Sequence, residues 1–177
     1  YRKDDQRASV MERLDRITAD LDGVGFNIDD REQHSPGYKF NQWEQRGVPL
    51  RMEMGPKDLE KDQVVLVRRD TGEKSFVAQH ELSTAVVRML DEIQSGLFDR
   101  ALEFRRSRTY QVDDYSQFNP ILDGPEAGFV WSHWCGSGEC EDKVKAETKA
   151  TIRCIPLDGD KGAGCCIACG EASEQRV

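Results

Sequence analysis

Apolar positions repeat at helical spacing in two segments of the chain. The first segment is residues 6–21, where the apolar positions three or four residues apart are Val10, Leu14, Ile17 and Leu21. The second is residues 79–107, whose apolar stripe consists of Leu82, Val86, Met89, Ile93, Leu97, Ala101 and Phe104. The pattern predicts one amphipathic helix near the start of the chain and a longer one in its middle.

Strand patterns lie between these two helices. Residues 48–54 are apolar at every second position, which predicts a strand with one apolar and one polar face. Residues 63–69 predict a second strand, and the turn at residues 70–73 connects it to a third over residues 75–78. Residues 26–28 also alternate, and they predict a short strand after the first helix.

Shorter segments complete the predicted order of elements. Residues 38–46 and 57–62 predict short helices, and a second unit after Tyr110 combines a helix near residues 114–122 with a strand near residues 129–131. We therefore expect an α/β fold with a central mixed sheet flanked by helices, followed by a small α+β domain. The expected domains are residues 1–108 and 109–177.

Composition limits the class of protein. The chain has 177 residues, of which 33% are charged and 37% hydrophobic, enough for one ordinary domain and a small one. No apolar stretch approaches 18 residues, so we expect no membrane-spanning helix. The sequence shows no basic-then-apolar leader, and its cysteines are spaced like metal ligands. These features favour a location in the reducing cytoplasm.

Charge is distributed unevenly along the chain. The net charge of −8 argues against binding of nucleic acid through a general positive field. Residues 39–74, however, contain eight basic and seven acidic side chains, so that this segment is +1 and the rest of the chain is −9. A mixed segment of this kind is usually a solvated face, and by itself it indicates no partner.

Four cysteines form two short pairs near the end of the chain. Cys135 and Cys140 make the first pair, Cys166 and Cys169 make the second, and 25 residues separate the pairs. Two turns that each present two sulfurs are typical of a closed Cys₄ zinc site, which is structural because no position is left for water. Gly170 suits the tight turn after the second pair. Disulfides and inert thiols remain open as alternatives.

Other side chains near the two pairs are weaker candidates. Cys154 lies in the apolar run 150–156, which predicts a strand with a buried thiol. Cys165 could replace Cys166 as a ligand, and His133 could replace a thiolate.

The sequence resembles a known family over nearly its whole length. The segments DDR (29–31), SPGYKFNQWE (35–44), GVPLR (47–51) and GPKDLE (55–60) resemble the anticodon-binding domain of class II prolyl-tRNA synthetases of the archaeal/eukaryotic type. The segment ETKATIRCIP (147–156) and both cysteine pairs resemble the C-terminal zinc-binding-like extension of that subgroup. The resemblance implies an anticodon-binding domain over residues 1–108, with its first strand truncated, and a zinc-binding-like domain over residues 109–177.

The resemblance also implies which side chains read the tRNA. The positions that correspond to anticodon-reading residues in the family are Glu44, Arg51, Lys57, Asp58 and Lys74. The proline anticodon ends in two guanines, and guanine offers acceptors to Arg or Lys and N–H donors to a carboxylate. Side chains of both signs therefore match base reading better than a purely basic patch does.

The implied parent enzyme is a homodimeric proline–tRNA ligase that uses ATP and Mg²⁺ to attach proline to tRNA(Pro). The class II catalytic motifs have no counterpart in this sequence, so we expect the segment alone to be inactive and to have the parent catalytic domain as a partner. The alternative hypothesis is a free-standing adaptor, in which the α/β domain and a zinc knuckle dock another protein without contacting tRNA.

Overall fold

A computed structural model describes residues 4–157, 159 and 162–177. The chain divides between Asp99 and Arg100 into two compact units.

Apart from the strand predicted at residues 26–28, the elements of the first unit follow the predicted order. They are α1 (Asp4–Ala19), α2 (Pro36–Gln45), β1 (Leu50–Glu53), α3 (Pro56–Glu60), β2 (Gln63–Arg68), β3 (Lys74–Ala78), a 3₁₀ turn (Gln79–Glu81) and α4 (Leu82–Ser107). Helix α4 continues past the limit of the first unit. Helix α2 begins as its sequence indicates: Ser35 is the N-cap, its side chain accepts a hydrogen bond from the Tyr38 N–H, and Pro36 occupies the first turn.

The three strands form an antiparallel sheet in the order β1, β2, β3. One face of this sheet carries the hydrophobic core, in which the central side chains Val64 and Leu66 are 0% and 1% exposed. The other buried members of this core are Ile17, Leu21, Val77, Leu82, Ala85, Val86 and Met89. Helices α1 and α4 therefore supply the apolar stripes that cover this face of the sheet.

The second unit is built from shorter elements. They are β4 (Thr109–Gln111), a 3₁₀ turn (Tyr115–Gln117), α5 (Phe118–Leu122), β5 (Phe129–Trp131), α6 (Gly138–Thr148), β6 (Gly164–Cys165) and β7 (Ala172–Ser173). Strands β4 and β5 pair in parallel, whereas β6 and β7 form an antiparallel pair. Val112 and Phe118 are buried here, at 1% and 6% exposure.

The predicted α/β class is confirmed, but the described central sheet is antiparallel rather than mixed, because its strands are joined by short connections, and two predicted strands are wrong. Residues 26–28 and residues 150–156 have no regular secondary structure, and Cys154 is exposed rather than buried. Both segments show a suitable alternation or apolar run, yet a strand also needs a partner for its backbone N–H and C=O groups. Neither segment finds such a partner within the described residues.

Within the described residues, no helix is both long enough and apolar enough to cross a membrane.

The buried position of Leu66 at the centre of the sheet leads to a first prediction. We expect Leu66→Ala to lower the free energy of unfolding by about 2–5 kcal/mol, because it removes buried methyl groups and leaves a cavity. Urea denaturation followed by circular dichroism measures this loss. The control is Leu97→Ala, at a side chain that is 41% exposed on α4, where we expect a much smaller change. Equal losses for the two variants would contradict the assignment of Leu66 to the core.

Candidate functional site

Arg51 lies at the centre of a group of charged side chains on the first unit. Its side chain is 19% exposed, and its guanidinium donates hydrogen bonds to two carboxylates, that of Glu44 at the end of α2 and that of Glu53 on the same strand. The Nε atom of Arg51 lies 2.9 Å from Oε1 of Glu53. The guanidinium also stacks over the ring of Phe40, at 4.0 Å from the ring centroid. These contacts fix the position of the arginine while leaving further N–H groups to donate.

The strand register places Lys74 on the same face of the sheet as Arg51. Arg51 pairs with Val67 of β2, and Val67 pairs with Lys74 of β3, so that the three residues form one row across the sheet. Directly opposed residues in an antiparallel sheet point to the same face. This is the face opposite the hydrophobic core, and we call it the outer sheet face.

Lys57 and Asp58 lie together in the first turn of α3. Asp58 accepts a hydrogen bond from the Gly55 backbone N–H at 3.0 Å and another from the Gln63 amide at 3.2 Å. It therefore caps the helix, the structural role that an Asp at this position often has. Lys57 and Lys74 are exposed, and neither has a hydrogen-bond or ion-pair partner among the described residues.

The five side chains do not form one hydrogen-bonded cluster. Glu44 and Arg51 are in direct contact, and Lys74 shares their face of the sheet across β2. Within the described part of the chain, no hydrogen bond or ion pair links Arg51 to Lys57, Asp58 or Lys74.

A second network fixes helix α2, which carries Glu44 and Phe40, to the preceding loop. The Asp29 carboxylate, 12% exposed, accepts hydrogen bonds from the Arg31 guanidinium at 2.6 Å and from the Trp43 indole N–H at 2.8 Å. Lys39 donates to the backbone carbonyl of Asp29 at 3.1 Å. Hydrogen bonding to Arg31 holds the pKa of Asp29 well below its usual value; partial burial opposes this shift, and the Trp43 N–H adds to it.

The four paired cysteines come together in the second unit. The Sγ atoms of Cys135, Cys140, Cys166 and Cys169 all lie within 4.8 Å of one another. Cys135 Sγ is 3.6 Å from Cys140 Sγ and 3.8 Å from Cys169 Sγ. A disulfide would require about 2.0 Å. Sulfurs at the corners of a tetrahedron around zinc, each about 2.3 Å from the metal, would be separated by about 3.8 Å. The four cysteines can therefore hold a metal ion.

Two glycines allow the backbone to bring the thiols together. Gly136, directly after Cys135, has φ +88°, and Gly170, directly after Cys169, has φ +78°. Both values lie in the left-handed region that favours glycine. The Gly170 N–H donates to the Cys166 carbonyl at 2.8 Å, which closes the turn around the second pair. The first pair ends in the first turn of α6, where Cys140 is 9% exposed.

The thiols of this cluster differ in acidity. Burial acts to raise the pKa of Cys166, but the backbone N–H groups of Ala168, Cys169 and Cys135 outweigh it and lower that pKa to about 6. Hydrogen bonding with Cys169 and Cys135, together with burial, raises the pKa of Cys140 to about 12. Four adjacent thiolates repel one another, so the set can ionise completely only with a cation to offset its charge.

The other candidates for this cluster lie outside it. Cys165 is exposed on β6 and lies outside the cluster. The thiol that joins the other three is that of Cys166, which is 2% exposed. The imidazole of His133 packs against the backbone of Gly164, where an added Cβ would lie 2.3 Å from ring atoms. His133 does not join the four thiols in the metal-ligand group found among the described residues.

The structure adds Glu53, Phe40 and the Asp29 network to the residues that the sequence pointed out. Glu53 could have been found from the sequence, because it follows Arg51 by two positions on one strand and must share its face. The hydrogen bond from Trp43 to Asp29 joins residues 14 positions apart through a loop, and no periodicity indicates it.

Comparison with known proteins gives matches over both units. Residues 3–89 match the profile of the anticodon binding domain family, and residues 115–177 match the family described as prolyl-tRNA synthetase, C-terminal. The proline–tRNA ligase of Natranaerobius thermophilus is 46% identical over 166 residues, which are 93% of this chain and 34% of that protein. The Chloroflexus aggregans ligase is 44% identical over 181 residues, covering 100% of this chain and 37% of the relative. The Porphyromonas gingivalis ligase is 40% identical over 179 residues, 100% of this chain and 36% of the relative.

The fold and these matches define an anticodon-binding module of an aminoacyl-tRNA synthetase, followed by a smaller cysteine-containing unit. The chain belongs to the prolyl-tRNA synthetase family and corresponds to its C-terminal part. It spans 34–37% of the length of these curated relatives. The family resemblance expected from the sequence is thereby confirmed.

The ionised Asp29 side chain leads to a prediction about pH. Because its folded-state pKa lies below the unfolded-state value, its stabilising effect is complete above that ordinary value and is lost as the pH falls toward the folded-state pKa. We expect Asp29→Asn to lower the free energy of unfolding at neutral pH by about 1.5–3 kcal/mol, the range for hydrogen bonds to charged groups. The difference between wild type and variant should be constant above about pH 5 and should shrink progressively as the pH falls below that value.

Urea denaturation at a series of pH values measures this difference. The matched control is Asp30→Asn, because the Asp30 side chain is 57% exposed and, among the described residues, its one ion pair is with Arg7 at 3.7 Å. The control should differ little from wild type at any pH. A difference for Asp29→Asn that stays constant with pH would show that the charge of Asp29 does not stabilise the fold.

Proposed function

We propose that this chain reads the anticodon of tRNA(Pro) as the C-terminal part of a proline–tRNA ligase. The observation that supports this most directly is the arrangement of Arg51 between Glu44 and Glu53, on the sheet face that also carries Lys74. Arginine and lysine can donate to O6 and N7 of guanine, and carboxylates can accept from its N1–H and N2–H groups. The proposed readers are Glu44, Arg51, Lys57, Asp58 and Lys74.

The contacts within this site support recognition of bases rather than general attraction of RNA. Arg51 is bound to two carboxylates and stacked on Phe40, so its guanidinium is held in one orientation before RNA arrives. A side chain that is already ordered loses less conformational entropy on binding. Lys57 and Lys74 are free among the described residues to meet phosphates or base edges.

The ligase reaction itself belongs to the parent protein in this proposal. That enzyme would attach proline to tRNA(Pro) in the cytoplasm with ATP and Mg²⁺, and the present segment would supply tRNA recognition without catalysis. The relatives named above, of which this chain spans 34–37%, are proline–tRNA ligases.

We further propose that the metal held by the cysteine cluster is zinc and that its role is structural. Thiolate sulfur is a preferred ligand of zinc, and a Cys₄ set leaves no position at which water could be activated. Cys135, Cys140, Cys166 and Cys169 would hold the ion and join the start of α6 to the turn that follows β6.

Loss of the guanidinium of Arg51 should weaken base reading. We expect Arg51→Ala to reduce affinity for tRNA(Pro) by about 5- to 100-fold, since one good bidentate contact contributes about 1–3 kcal/mol of discrimination. Lys57→Ala should act in the same direction. Filter binding with tRNA(Pro), and with the same tRNA carrying adenines in place of both anticodon guanines, measures the effect.

The matched control is Arg88→Ala, which removes an exposed arginine from α4 and should leave both affinities unchanged. The affinity of Arg51→Ala for the adenine-substituted tRNA should equal that of wild type, because the lost contacts are specific to guanine. Equal wild-type affinity for the two tRNAs would rule out anticodon reading.

The cysteine cluster leads to a separate prediction about metal. The reduced protein should contain one zinc ion per chain by elemental analysis, and Cys166→Ser should remove it. Because a structural zinc contributes apparent binding energy of about 10–16 kcal/mol in small domains, a chelator should make residues 100–177 susceptible to protease before the first unit. Cys154→Ser, at an exposed thiol outside the cluster, is the control and should retain the metal. Metal-free protein that resists protease as well as the untreated sample would contradict the structural role.

A further inference from the structure

The aromatic side chain of Phe76 lies exposed in the middle of a strand. Phe76 is the third residue of β3, and its side chain is 68% exposed. The next residue, Val77, points to the opposite face and is 8% exposed in the core. Within the described part of the chain, no second ring and no cation stacks on Phe76. The side chain therefore contributes little to the packing of the unit.

The strand register places Phe76 on the outer sheet face. Phe76 pairs with Val65 of β2, and Val65 pairs with Glu53 of β1, so these three residues form a row beside the row of Arg51, Val67 and Lys74. Lys74 precedes Phe76 by two residues on β3, which separates their Cα atoms by about 7 Å along the strand. The exposed ring is therefore next to Lys74, which has no partner among the described residues, on the same face as the Arg51 and Glu53 pair.

We propose that Phe76 is a stacking platform for an unpaired base of the tRNA anticodon loop, next to the guanines read by Arg51. This inference rests on the proposed function and adds a residue that acts through the face of a base rather than through its edge. Single-stranded RNA is bound by aromatic rings that stack on splayed bases while polar groups read the base edges. The outer sheet face combines both kinds of group on adjacent strands.

The charges around Phe76 favour RNA over an apolar protein surface as the occupant. Burial of the ring against an apolar partner would also cover Lys74, which has no carboxylate to pair with among the described residues. Burial of an unpaired charge is costly. An anticodon loop instead brings phosphates to the lysine and an aromatic base to the ring, so both groups acquire partners in one complex.

The test compares three variants in the same tRNA-binding assay. Phe76→Leu keeps an apolar side chain but removes the flat ring, and we expect it to weaken binding of tRNA(Pro) by about 5- to 100-fold, as removal of one base–aromatic stack does. Phe76→Trp keeps a stacking surface and should bind at least as tightly as wild type. Phe98→Leu is the matched control: Phe98 is 61% exposed on α4 rather than on a strand of the sheet, and this variant should bind as wild type does.

A fluorescent base distinguishes stacking from general contact. 2-Aminopurine is placed in turn at the positions on either side of the two anticodon guanines. Binding to wild type and to Phe76→Trp should quench one of these reporters, and binding to Phe76→Leu should not. Circular dichroism and urea denaturation of each variant should match wild type, because the ring is exposed in the folded protein.

The results separate this inference from the proposed function. Wild-type affinity of Phe76→Leu for tRNA(Pro), with Arg51→Ala still impaired, would overturn the stacking role and leave anticodon reading intact. Weakened binding by Phe76→Leu with the same reporter still quenched would also overturn it, since the ring would then act other than by stacking. Failure of wild type to prefer the guanine-containing anticodon would reject the proposed function itself.

Discussion

The pairing of β2 with both of its neighbours is the constraint on which the first unit depends. Val64 and Leu66 point into the core from β2, whereas Val65 and Val67 point to the outer sheet face. A slip of one residue in this register would move every side chain of the slipped strand to the opposite face of the sheet. The burial of Leu66 therefore also fixes which face Arg51 and Lys74 occupy. The same strand register packs the core and places the candidate RNA-binding side chains.

The second unit is organised differently, because its strands are too short to enclose a large core. Its two antiparallel strands β6 and β7 contain two residues each, and Val112 and Phe118 are among its few buried large side chains. Small domains usually need a metal or disulfides in addition to such a core. The convergence of four thiols at the start of α6 and at the turn after β6 fits this requirement, and the hydrogen bond from the Gly170 N–H to the Cys166 carbonyl closes the turn that carries Cys166 and Cys169.

The sequence correctly predicted the elements whose pattern is local. The predictions were wrong where the secondary structure of a segment depends on a partner far away in the chain. The apolar stripes of residues 6–21 and 79–107 correctly indicated α1 and α4, and the turn at residues 70–73 correctly joined β2 to β3. Residues 26–28 and 150–156 have strand-like sequences, but no strand in the described part of the chain pairs with them. In the candidate sites, spacing was sufficient to group the cysteines, and alternation was sufficient to place Arg51 beside Glu53. The inward orientation of Cys166 rather than Cys165 depends on the backbone of β6, and the contact of Trp43 with Asp29 depends on a loop; neither has a local signature in the sequence.

The contact between Trp43 and Asp29 has an optical consequence. Trp43 is the single tryptophan between residues 4 and 99, and the other two, Trp131 and Trp134, belong to the second unit. Its indole N–H points at an ionised carboxylate, and the emission of an indole depends on the electric field along its ring. The first unit thus contains a single tryptophan, on the helix that bears Glu44, so that motion of this helix can be followed by tryptophan fluorescence without an attached dye in a chain whose Trp131 and Trp134 are replaced.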